Sequence, residues 1–137
     1  EATLKNSQHF QYRVALYHVP LYPARRSPDN IHSVDSRDQW LDLFDKYHLT
    51  VAFENHDHVY KRTHVLKNNE ISATGTVYMG DGAWGVIPHN PSSEDRWYLA
   101  QTHGNTNYYM TVSLNALWLQ GNAKDANGVC FDEVLVF

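Results

Sequence analysis

Residues 51–63 read VAFENHDHVYKRT. With Thr50 before it, a run of five residues (50–54) that are mostly apolar or suited to extended chain leads straight into Asn55-His56-Asp57-His58. An apolar, β-prone run bounded by polar residues predicts a strand over 50–54. In extended chain, positions i and i+2 face one side, with Cα atoms about 6.6–7 Å apart. His56 and His58 so placed can bind one metal ion, or one each of two ions about 3.5–4 Å apart. Asp57 then faces away, to support the site or to meet solvent. The competing reading is a pair of exposed loop histidines, and the spacing alone does not choose between them.

Working upstream, Trp40, Leu41, Phe44 and Tyr47 recur at helical spacing. They predict a helix over 37–47, capped by Asp35 or Ser36. Before it, QYRVALY (11–17) reads as a buried strand that stops at His18-Val19-Pro20, because proline cannot continue a ladder. Strand, helix, strand predicts a βαβ unit with parallel strands. Both strands then end on one edge of the sheet, where open α/β sheets bind ligands. His18 follows the first strand, and His56 and His58 follow the second, so three histidines from two distant segments converge there. A single histidine after a strand is otherwise an ordinary structural residue.

The connection PLYPARRSPDNIHSVD carries Pro20, Pro23 and Pro28, and reads as a long functional or mobile loop. Arg25 and Arg26 on it are candidate phosphate contacts, since guanidinium forks match phosphate oxygens. His32 is a candidate donor on the same loop. The plainer reading of all three is solvated surface.

Downstream, the chain is β-rich. Residues 59–66 and 70–80 predict a hairpin around KNNE, and 97–103, 107–114, 116–120 and 129–136 predict further strands, with KDANG as a turn. Residues 1–9 read as the tail of a helix. GTVYMGDGAWG (75–85) lacks the Gly-Lys-Ser/Thr of a phosphate-binding P-loop and reads as tight turns, with Asp81 a candidate support for the site. His9, His48, His64, His89 and His103 have no partner pattern and are assigned to surface or structure. Cys130 reads as a buried strand thiol. No Gly-x-Ser-x-Gly elbow is present.

The totals agree with a packed domain, or part of one. Of 137 residues 42% are hydrophobic and 13% aromatic, which excludes a disordered composition. A net charge of -4 without a basic run argues against nucleic acid, and no apolar run reaches the ~20 residues of a membrane helix. The opening residues are polar and lack an initiator Met, so the chain is expected to be a piece of a longer protein.

In order, ALYHVPLY, a helix ending LFDKYH, LTVAFENHDHVYKRT and GTVYMGDGAWG resemble the C-terminal half of the purple acid phosphatase-type (calcineurin-like) metallophosphoesterases. The likeness is close over about residues 10–86 and looser through YYMTVSLNALWLQGNAKDANGVCFDEVLV. The resemblance implies an α/β fold, the C-terminal half of a four-layer α/β/β/α sandwich, β-rich with one clear helix. The whole of 1–137 would be a single partial catalytic domain.

The resemblance also implies two metal ions. His18 and His56 would bind the second, which is Zn(II), Mn(II) or Fe(II). His58 would bind the first, usually Fe(III). The family's remaining ligands are two Asp, a Tyr and an Asn, in G-D-x-x-Y and G-N-H-[ED] settings that this chain lacks. Where the family often places substrate-contacting histidines, this chain has Arg25, Arg26 and His32.

The expected activity of the parent protein is therefore hydrolysis of small phosphate monoesters, with these residues inactive alone. A phosphodiesterase or nucleotide pyrophosphatase of the same superfamily, or a non-catalytic β-rich binding module, is the alternative. The resemblance implies a secreted or lysosomal location. It leaves the oligomeric state open.

Overall fold

The computed structural model describes residues 1–80 and 82–137. Asp81, read above as a support for the site, lies outside the described residues. After a short helix α1 (Ala2–Asn6), strand β1 (Val14–Leu16) leads through a loop to helix α2 (Ile31–Lys46) and then to β2 (Val51–Glu54). Next come β3 (Tyr60–Thr63), the hairpin β4 (Leu66–Lys67) and β5 (Glu70–Ile71), and β6 (Val77–Gly80). The chain ends in β7 (Leu99–His103), β8 (Tyr108–Leu114), β9 (Leu119–Asp125) and β10 (Cys130–Val136).

The strands form a mixed sheet in the order β1-β2-β6-β3-β7 and an antiparallel sheet in the order β10-β9-β8. β1 and β2 run parallel with Ala15 opposite Ala52, as the βαβ reading requires. Alternation along β2 and β6 sets the layers. Ala52 and Tyr78 face a core shared with Leu21, Phe44 and Leu49 on the α2 side. Val51 and Met79 face a second core, shared with Leu119 and Ala123 of the antiparallel sheet. Period-two side chains thus place the mixed sheet between a helix layer and a second sheet.

Helix α2 begins six residues before the expected start. Asn30 caps it, with Oδ1 accepting the Ser33 amide at 3.1 Å, a signal hidden behind a first turn without apolar periodicity. The helix closes in a Schellman pattern. The Leu49 amide donates to the Phe44 carbonyl at 2.9 Å, the His48 amide donates to Asp45, and His48 takes a left-handed φ of 52°. Leu49 and Phe44 then meet in the core.

The hairpin around KNNE is shorter than expected, confined to β4 and β5, with Asn68 and Asn69 both at positive φ as a tight turn demands. β6 instead pairs parallel with β2 and antiparallel with β3. β9 runs over 119–125 rather than 116–120. Cys130 is exposed at the head of β10, so the buried-thiol reading is corrected. β1 and β8 are outermost in their sheets, and Leu16 on β1 is 77% exposed. Among the described residues, no helix is long and apolar enough to cross a membrane.

Candidate metal centre

The parallel pairing continues past the named strands and sets the first two histidines side by side. The Tyr17 amide donates to the Phe53 carbonyl at 3.2 Å, and the Asn55 amide donates to the His18 carbonyl at 3.0 Å. The Asn55 side-chain amide adds a bond to the Tyr17 carbonyl at 2.7 Å. With both strand ends tied, His56 Nδ1 lies 2.8 Å from His18 Nε2. That separation suits a hydrogen bond between two neutral rings. It is also close to the ~3.0–3.4 Å between two nitrogens that each lie about 2.1 Å from one ion.

The extended geometry expected for His56-Asp57-His58 is not what holds them. Strand β2 stops at Glu54, and His56 and His58 take φ of 92° and 56°. Positive φ is uncommon outside glycine and asparagine and concentrates at functional sites. The backbone turns at each histidine, so the two rings part. His56 meets His18, while the His58 ring lies parallel to His89, 5.8 Å between centroids and 3° between planes. The His89 amide donates to the His58 carbonyl at 2.8 Å, and the Asn105 amide donates to the His89 carbonyl at 3.0 Å. His89, assigned from sequence to surface or structure, therefore stands beside His58 on the rim. It sits 31 positions after His58 in a segment without pattern.

Asp57 turns inward and is fully buried, not turned out to solvent. Its Oδ2 accepts the Arg25 and Arg26 amides at 2.8 and 3.1 Å, and its Oδ1 lies 3.4 Å from Arg26 Nε. One carboxylate thus fastens the proline-rich loop between His56 and His58. The other side of that loop is held as well. Arg96 Nη1 and Tyr98 Oη donate to the Pro23 carbonyl at 2.6 and 2.7 Å, and the Ser92 amide donates to Ala24 at 2.9 Å. Leu21, Tyr22 and Ala24 are buried, so this part of the connection is built into the core.

Arg25 and Arg26 are exposed. His32 is exposed in the first turn of α2 and not on the loop, and none of the rim's contacts among the described residues involves it.

Beneath the rim lies a buried charge pair. Glu54, the last residue of β2, accepts from Tyr17 Oη and the Leu21 amide, both at 2.6 Å, and from Lys61 Nζ. Lys61 Nζ also donates to the Tyr22 carbonyl. Burial and the Glu54 charge push the Tyr17 hydroxyl well above its ordinary range, so it stays a donor. On the far side, Gly80 and Gly82 have φ of 112° and 70°. A Cβ at Gly80 would stand 2.7 Å from the Glu54 carbonyl oxygen, and one at Gly82 would stand 3.1 Å from Asn55 Oδ1. The glycines let the turn lie against the end of β2.

Burial, followed by the Arg26, His18 and His58 charges, holds the His56 ring below the usual histidine range. His89 shifts the same way, through desolvation and then the Arg25 and His58 charges. Neutral imidazoles have a lone pair to give to a metal ion. The donor set is nonetheless partial. Among the described residues, no group of three or more His, Cys, Asp or Glu side chains is arranged to hold a metal ion.

No family model matches the chain, and no curated protein matches it in sequence. In three dimensions it is similar to a purple acid phosphatase isolated from yellow lupin (Lupinus luteus) seeds, with a TM-score of 0.82 over 98% of this chain and 15% identity. At that identity the likeness establishes the fold, a strand-rich α/β arrangement matching part of the lupin enzyme. The chain spans 26% of that protein's length.

Proposed function

We propose that these residues form one rim of a dinuclear metal site that hydrolyses phosphate monoesters, completed by carboxylates from polypeptide outside the sequence in hand. The observation that carries this reading is the convergence of His18 and His56, 38 positions apart, at 2.8 Å on the shared edge of two parallel strands.

The donor chemistry sets the limits of the fit. Two neutral imidazoles suit a borderline ion such as Zn(II), and His58 offers a third nitrogen on the other side of Asp57. Three neutral donors do not offset the charge of an Fe(III)–Zn(II), Fe(III)–Mn(II) or Fe(III)–Fe(II) pair, so anionic ligands are required. When bound, such a pair supplies a hydroxide nucleophile and offsets charge on the phosphoryl oxygens.

The chain's own groups have separable tasks. His18 and His56 present ring nitrogens toward one point. Asp57 holds the Arg25–Arg26 backbone and thereby fixes where the two guanidiniums start. Arg25, Arg26 and His89 place donors beside the histidines, where an anionic ester would approach.

The test uses the longest natural polypeptide that carries this sequence. His56→Ala and His58→Ala are each expected to lower metal content and to cut kcat/KM on p-nitrophenyl phosphate at least ~100-fold. His64→Ala, an exposed change outside the rim, leaves both as they were. Unchanged metal content in both rim variants refutes the proposal. Faster turnover of bis(p-nitrophenyl) phosphate than of the monoester moves the reading to a phosphodiesterase. The 137 residues alone are expected to show no turnover.

A further inference from the structure

The backbone of residues 23–26 is gripped from two sides. From the rim, Asp57 Oδ2 accepts the Arg25 amide at 2.8 Å and the Arg26 amide at 3.1 Å. From the segment before β7, Arg96 Nη1 donates to the Pro23 carbonyl at 2.6 Å and Nη2 donates to the Arg25 carbonyl at 3.4 Å. The amide and the carbonyl of Arg25 are thus both held by charged side chains, Asp57 at 0% exposure and Arg96 at 6%.

A buried guanidinium is costly unless its charge is offset. Arg96 has Glu94 at 3.6 Å, but that carboxylate is exposed, which makes the offset weak. A brace on the Pro23 carbonyl needs no charge, since Tyr98 Oη donates to the same oxygen at 2.7 Å. What Arg96 adds is the fork, which reaches the Pro23 and Arg25 carbonyls together.

The two loop arginines differ in their side chains. Arg26 is drawn to Asp57, with Nε 3.4 Å from Oδ1. Arg25 is exposed and makes no ion pair among the described residues. Asp57 stands between His56 and His58 in the chain, so the Arg25 backbone is fixed relative to both histidines. A guanidinium on a backbone fixed at both polar groups is a preorganised donor, because binding an anion orders its side chain and not the loop. Its fork matches phosphate oxygens.

We propose that Arg96 is a positioning residue for substrate, which acts through Arg25 by holding the loop so that the Arg25 guanidinium meets the phosphate group of the ester. The inference rests on the phosphate monoester reading and extends it to a buried residue outside the histidine rim.

The experiment is a double-variant cycle in the longest natural polypeptide that carries this sequence, loaded with metal. Arg25→Ala and Arg96→Gln are each expected to raise KM for p-nitrophenyl phosphate about ten-fold, with kcat and metal content little changed, since ground-state binding is what is lost. The double variant raises KM no further, because the two residues act as one unit. Arg96→Lys, which keeps the charge and loses the fork, behaves like Arg96→Gln. Calorimetric titration with orthophosphate reads the same cycle as affinity, without turnover. If Arg96→Gln does not fold, Tyr98→Phe removes the other donor to the Pro23 carbonyl, and its effect on KM is expected to vanish in the Arg25→Ala background. Additive losses overturn the proposal, as does a wild-type KM in the Arg96 variants or full rescue by lysine. A wild-type protein without turnover refutes the monoesterase reading alone, since the orthophosphate cycle still decides this one.

Discussion

Glu54 ends a strand at 1% exposure, and both of its carboxylate oxygens accept from donors. Tyr17, the Leu21 amide and Lys61 converge on it from three segments. Removing one member of a fully buried ion pair leaves a charge without compensation, which costs about 3–5 kcal/mol. Lys61→Met is therefore expected to lower stability by about that much, read as a fall in the urea midpoint at unchanged slope. A change below 1 kcal/mol would mean that water reaches Glu54. Nothing in YKRT marks Lys61 as a core residue, because its partner is seven positions back across a double turn. The same turn hid the true geometry of the histidines. Alternation rules apply to extended chain, and His56 and His58 lie where the chain has left it. His18 was legible because it depends only on where two strands stop.

Among the elements, β3 and β10 carry the tie between the two sheets. Arg62 on β3 grips Asp132 on β10 through Nε at 2.7 Å and Nη2 at 3.0 Å, and Tyr60 Oη adds a bond to Asp132 at 2.6 Å. Burial alone would push the Asp132 carboxyl up, but the Arg62 and Tyr60 hydrogen bonds outweigh it and hold the group below the usual range. A depressed carboxyl stabilises the fold above its unfolded value, about 3.9, and loses that contribution as pH falls through the folded value. Asp132→Asn is expected to cost about 2–3 kcal/mol at pH 7. The gap between the two urea midpoints stays constant down to about pH 5 and closes in stronger acid. A gap independent of pH would sink this account. The strands themselves were legible as apolar runs between turn residues, and α2 as a periodic stripe. The cross-sheet pairing was not, since Arg62 and Asp132 are 70 positions apart.

At the scale of the whole molecule, a helix layer, a mixed sheet and an antiparallel sheet account for three of the four layers expected from sequence. The resemblance foresaw the fold that the lupin structure shares. The two cores fill the spaces between these layers, yet the outermost strands keep apolar side chains turned outward. Val14 and Leu16 on β1 are 48% and 77% exposed, and Val112 and Leu114 on β8 are 39% and 61% exposed. Strand edges without a partner among the described residues offer amides and carbonyls to any similar edge, and apolar flanks add a drive to associate. The open β1 edge therefore has a colloidal consequence. In solution the purified chain is expected to self-associate reversibly, with a sedimentation coefficient that rises with concentration. Leu16→Lys, which places a charge on that edge, should return it toward the monomer value. Equal association of both chains would show that the attraction lies elsewhere on the surface.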